Sequence, residues 1–139
     1  MTTRLVLDAW ALLAFLQGEE PAAGRVGQLL DEAALAQVAL FVSIINLGEV
    51  FYRVGKVKGE DAARTTLTEL QRLSLTVVPA TNDGVMAAAW LKIHHAISYA
   101  DAFAAATAIA HDAVLVTGDP ELQALAGHIR LEKLQRHPR

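Results

Sequence analysis

Thr3-Arg4-Leu5-Val6-Leu7-Asp8-Ala9-Trp10-Ala11-Leu12-Leu13 sets an acid between two apolar runs of different character. The first is short and continuous, and residues 3–7 read as a buried strand. The second is rich in alanine and leucine and reads as a helix from Ala9 to Leu16, broken at Gly18. Asp8 therefore stands at the carboxyl end of a strand. The same pattern returns late in the chain. Residues 113–117 read as a strand, and Gly118-Asp119-Pro120 turns it into a short helix, Glu121 to Ala126. In an open parallel sheet, ligands bind outside the carboxyl ends of the strands. Two acids far apart in sequence are thus expected at one sheet edge.

Between these units the alternation continues. Residues 20–37 predict an amphipathic helix and residues 40–42 a strand, with Ser43 placed to cap a helix from Ile44 to Val54 that ends near Gly55. A helix follows over 59–73, then a strand over 75–78 stopped by Pro79. Helices are expected over 82–95 and from Ser98 to Ala110, and a last short strand over 128–131. Strands alternating with helices predict an α/β fold with a mostly parallel central sheet flanked by helices. The 139 residues suit one domain, with 134–139 expected to form a basic, frayed tail.

Composition narrows the chemistry. With 53% hydrophobic residues the chain has ample core-forming material. It has no cysteine, which excludes disulfides, thiolate metal sites and cysteine nucleophiles. A signal-peptide pattern and a long uncharged apolar run are both missing, so a soluble cytoplasmic protein with no membrane partner is expected. The net charge of −3 argues against a nucleic-acid partner held by bulk electrostatics alone. Positive charge for such a partner must be local, and bound metal cations are one source.

Of the 15 acids, Glu19, Glu20, Asp31, Glu32, Glu60, Asp61 and Glu69 fall on polar faces or helix ends and are assigned to solvent. Four are different. Asp8 and Asp119 share the sheet edge, Asp101 heads the nearly all-apolar run 102–110, and Glu49 interrupts the least polar part of its helix. Each also has an ordinary structural reading. Asp8 and Asp119 are good N-caps, and Pro120 suits a first helical position. Ser98 and Asp101 resemble a capping box, and Glu49 can pair with Arg53 one turn on. Together, four carboxylates that converge would repel one another unless a cation lay between them. Oxygen-only ligands suit hard ions such as Mg²⁺ or Mn²⁺. His94 and His95 are adjacent and cannot face one ligand from one helix surface. Arg53, Lys56 and Lys58 stand just beyond Glu49, either as contacts to phosphate or as a solvated helix end. Thr117 and Ser98 bring hydroxyls near the acids, to orient a ligand or to make structural hydrogen bonds.

In order along the chain, Leu5-Val6-Leu7-Asp8-Ala9-Trp10-Ala11-Leu12-Leu13, Asn46-Leu47-Gly48-Glu49-Val50, Ile97-Ser98-Tyr99-Ala100-Asp101-Ala102 and Leu115-Val116-Thr117-Gly118-Asp119-Pro120-Glu121-Leu122 resemble the acidic segments of PIN domains. Their order, their spacing and the chain length resemble the VapC-type toxins of toxin–antitoxin pairs. The resemblance implies a PIN-like three-layer fold and Mg²⁺- or Mn²⁺-dependent cleavage of RNA. By it, Asp8, Glu49, Asp101 and Asp119 are the catalytic and metal-binding set, with Glu121 a substitute at the Asp119 corner. Arg53, Thr117 and Ser98 are the candidates for substrate contact. It further implies a homodimer and a cognate VapB-like antitoxin whose tail covers the acids. A housekeeping RNA-processing nuclease, a non-enzymatic acidic binding module and a phosphoacceptor domain are the competing readings, the last lacking a lysine after the final strand.

Overall fold

The computed structural model describes residues 2–137. Strands β1 (Thr3–Leu7), β2 (Val38–Ser43), β3 (Thr76–Val78), β4 (Val114–Thr117) and β5 (Leu131–Lys133) form one sheet in the order β3-β2-β1-β4-β5. Every pairing in it is parallel. Helices α1 (Ala9–Gln17), α2 (Ala22–Ala34), α3 (Ile44–Lys58), α4 (Glu60–Gln71), α5 (Asn82–His94) and α6 (Tyr99–Ala110) connect the strands, with a short 3₁₀ helix over Pro120–Leu125.

Strand residues alternate in direction, and the sheet uses both faces. Leu5, Leu7, Leu40, Val42 and Val116 pack with Leu12, Val26, Leu29, Leu47 and Val50 from α1, α2 and α3. Val6 and Leu115 point the other way, onto Ala102, Ala105 and Leu122. The result is the expected helix–sheet–helix layering. Helix α6 lies closest to the sheet, with Asp101 through Ala108 buried without interruption and contacts to β1, β2 and β4. Its alanines permit that approach, because larger side chains would hold the helix off the strands.

From β1 the chain builds outward through β2 to β3, then returns to β1's other side for β4 and β5. The crevice beyond the ends of β1 and β4 is therefore the topological switch point. Asp8 directly follows β1, and Asp119 lies two residues beyond β4.

Several boundaries differ from the sequence reading. Helix α3 runs past Gly55 to Lys58, since Gly55 faces Ala63 of α4 at a helix–helix contact and Gly59, at φ +95°, is the true stop. The N-terminal amphipathic helix is shorter than 20–37, because Ala36 turns left-handed at φ 58°. The last strand falls at Leu131–Lys133 rather than 128–131, and residues 126–128 are still leaving the 3₁₀ helix.

Residues 134–137 are not frayed. Leu134 is buried and its N–H donates to the Thr117 carbonyl, Ala22 N–H donates to the Gln135 carbonyl, and His137 N–H donates to the Glu20 carbonyl. Glu19, expected in solvent, is held under this strap with its side chain 8% exposed and paired to Arg136 at 3.0 Å. Residues 138 and 139 of the expected tail lie outside the described residues.

Candidate metal centre

Asp8 is 1% exposed, a costly position for a carboxylate. Both its oxygens are engaged. Oδ1 accepts the Ala11 N–H at 2.8 Å, capping α1, and Oδ2 accepts the Thr117 hydroxyl across the sheet. Burial raises its pKa to about 7, the Thr117 and Ala11 bonds pull the other way, and the charges of Asp101 and Asp119 add to the rise. The capping reading of Asp8 and its place beside the other acids therefore hold together.

Asp101 sits in the first turn of α6. Ser98 caps the helix by accepting the Asp101 N–H at 3.1 Å, and it also bonds the Asp101 carboxyl group. That carboxyl is raised to about 7, first by burial, then by the charge of Asp119 and a hydrogen bond with it, and finally by Glu49. Asp119 is fixed from both sides: its N–H donates to Thr117 Oγ1, and its Oδ1 accepts the Glu121 N–H, each at 3.0 Å. Thr117 is thus the knot of the corner, donating to Asp8 and accepting from Asp119.

Asp101, Asp119 and Glu121 each offer a carboxylate oxygen, and these oxygens lie within 4.8 Å of one another. An all-oxygen donor set of this kind fits a hard divalent cation and would not select a soft one. Glu49 stands at the rim. Its side chain, 15% exposed, pairs with Arg53 at 2.9 Å, which supplies the partner its position demanded. Arg53 is thereby held by Glu49 one turn before it, and Lys56 lies over the Tyr52 ring at 5.6 Å.

The two histidines behave as surface groups, His94 against Trp90 and His95 against His128. Two contributors were not singled out in the sequence. Asn46 is buried, and its Nδ2 donates to the Ala100 carbonyl at 3.0 Å, tying α3 to the residue before Asp101. An amide inside the run Ile44–Val50 was the available signal. Trp10 lies over Gly118, where any Cβ would collide with the indole.

An open parallel sheet with clustered carboxylates at its switch point defines a class of α/β domain built around an acidic crevice. Within that class, the PIN domain family model matches residues 5–128, and the chain belongs to the PIN-domain family. No curated protein matches it by sequence. Among solved structures, it is similar to VapBC2 from Rickettsia felis bound to a promoter DNA fragment, with TM-score 0.74 and 19% identity over 96% of this chain and 100% of that one. It is similar to DNA-bound VapBC from Salmonella typhimurium, with TM-score 0.72 and 17% identity over 96% and 98%. It is also similar to VapC20 of Mycobacterium tuberculosis, a toxin that cleaves the sarcin–ricin loop, with TM-score 0.69 and 18% identity over 90% and 95%. At these identities the likeness establishes the fold. Among the described residues, no helix is long and apolar enough to cross a membrane.

Proposed function

We propose that this protein is a metal-dependent endoribonuclease, the toxin of a toxin–antitoxin pair. The observation that carries the reading is the convergence of Asp101, Asp119 and Glu121 at the switch point of a PIN-domain sheet. In this reading those three carboxylates hold Mg²⁺ or Mn²⁺, Asp8 forms the buried floor, and Glu49 completes the acidic wall. The bound cation supplies Lewis acidity toward a phosphoryl oxygen and lowers the pKa of water. Ser98 and Thr117 act by orienting carboxylates, Ser98 through Asp101 and Thr117 through Asp8 and the Asp119 backbone. Arg53 is 56% exposed while tethered to Glu49, which suits a cation that meets RNA phosphate at the rim.

The partners follow the same reading. The toxin–antitoxin complexes among the similar structures support a VapB-like antitoxin for this chain, with a basic side chain placed over the acids. Met86, Trp90 and Ile93 form an exposed apolar stripe along α5, 68%, 57% and 76% exposed, which supports a homodimer formed on that face.

Purified protein is expected to cut RNA only when Mn²⁺ or Mg²⁺ is present, and Asp101→Asn to abolish cutting while circular dichroism stays unchanged. Cleavage that persists in chelator, or in the folded Asp101→Asn protein, refutes the proposal. A small adjacent reading frame whose product suppresses the activity would mark the protein as a toxin.

A further inference from the structure

The cluster depends on where Asp119 points, and the residue before it has no side chain. At Gly118 a Cβ would collide with Cη2, Cζ2 and Cζ3 of Trp10, so the six-membered part of the indole lies directly against the glycine backbone. Trp10 belongs to the first turn of α1, two residues after Asp8. Its ring therefore links the start of α1, just after Asp8, to the residue just before Asp119. The indole has a second neighbour: the Arg136 guanidinium stands over the ring at 5.6 Å and is held there by Glu19 at 3.0 Å. Arg136 lies in the strap whose Leu134 N–H donates to the Thr117 carbonyl. Two contacts distant in sequence thus converge on residues 117–118, one through the ring and one through the backbone.

We propose that Trp10, backed by Arg136, is a positioning residue for the cation site. The inference rests on the metal-dependent reading above. Hydrogen bonds anchor Thr117 to Asp8 and Leu134, and Asp119 to Glu121, so they act on either side of Gly118. The indole adds van der Waals contact with the Gly118 backbone that lies between those anchors. The distance between the Asp119 and Asp101 oxygens, and with it the fit to a cation, then depends on a ring that touches no ligand. Support of this kind around a metal site typically changes affinity by about 10-fold to 100-fold.

The test is Mn²⁺ binding to the full chain, read by electron paramagnetic resonance of the free ion, with folding checked by circular dichroism. Trp10→Ala is expected to weaken Mn²⁺ binding about tenfold, at the lower end of that range. Trp10→Phe keeps an aromatic six-membered ring and is expected to stay within about threefold of wild type. Gly118→Ala forces the ring and the turn apart and is expected to weaken binding about as much as Trp10→Ala. The double variant Trp10→Ala/Gly118→Ala should be no weaker than Trp10→Ala alone, because the collision has gone, and this non-additivity marks direct contact. If Trp10→Ala does not fold, Gly118→Ala carries the test. Wild-type affinity in folded Trp10→Ala or Gly118→Ala overturns this inference alone. Failure of the wild-type protein to bind Mn²⁺ saturably overturns the metal-dependent reading and this inference with it.

Discussion

Replacing Asp101 by asparagine is expected to make the metal-free protein more stable at pH 8. Asp101 is 8% exposed, and its pKa is raised from 3.8 to about 7 by burial and by Asp119. A carboxyl whose folded pKa exceeds its unfolded one binds its proton more tightly in the native state. Between those two values unfolding releases a proton, so stability falls as pH rises from about 4 to about 7. About three pKa units at about 1.4 kcal/mol each set a ceiling near 4 kcal/mol. Part of this is shared with Asp119, and an amide in the same position still loses water, so a gain of about 1–2 kcal/mol is expected. In a domain of this size that is a rise of roughly 3–8 °C in Tm. Thermal unfolding in chelator at pH 5 and pH 8 measures it: the gap between variant and wild type should be large at pH 8 and shrink toward pH 5. Adding Mn²⁺ at pH 8 should stabilise wild type and leave the variant nearly unchanged, since only a ligand bound to the native state raises Tm. A variant less stable than wild type at both pH values, or a gap independent of pH, would refute the claim that Asp101 is strained in its charged form.

Thr117→Val removes the hydroxyl that donates to Asp8 and accepts from Asp119, and should cost about 1–3 kcal/mol in urea unfolding at neutral pH; an unchanged midpoint would show that the bond contributes nothing. Gly59→Ala puts a side chain on a residue at φ +95° and should cost about 1 kcal/mol or more, with Gly48→Ala, which meets no neighbour within 4 Å, as the tolerated control. Ile93→Glu on the exposed α5 stripe should shift a sedimenting dimer toward monomer with little change in the helical signal; an unaltered sedimentation coefficient would move the dimer face elsewhere.

The strand ends were the most legible part of the molecule. Apolar runs that finish in an acid, as at Leu7–Asp8 and Thr117–Asp119, encode both the sheet and the edge where its acids meet. Asp101 was legible for a related reason, as the only charge at the head of a helix of alanines. The closest oxygens belong to Asp101, Asp119 and Glu121 and include neither Asp8 nor Glu49, and this was harder to read because it depends on how tightly the 3₁₀ helix winds after Pro120. Glu49 also meets Arg53 on its own helix, a local pairing that spacing alone allowed but did not choose. The strap over 134–137 gave no periodic signal. Its order comes from backbone bonds to Thr117, Glu20 and Ala22, the last two more than a hundred residues away. Trp10 carries no local signal for a similar reason: its partner is a glycine more than a hundred positions away.

The layered placement of the acids has a bearing on biosynthesis. Asp8 is synthesised over a hundred residues before Asp119, and the two meet only once β4 slots in beside β1. A nascent chain lacking that strand has no assembled crevice. Assembly of the acidic crevice therefore waits on β4: until that strand is paired, Asp8 lacks both the Thr117 hydroxyl and the neighbouring Asp119.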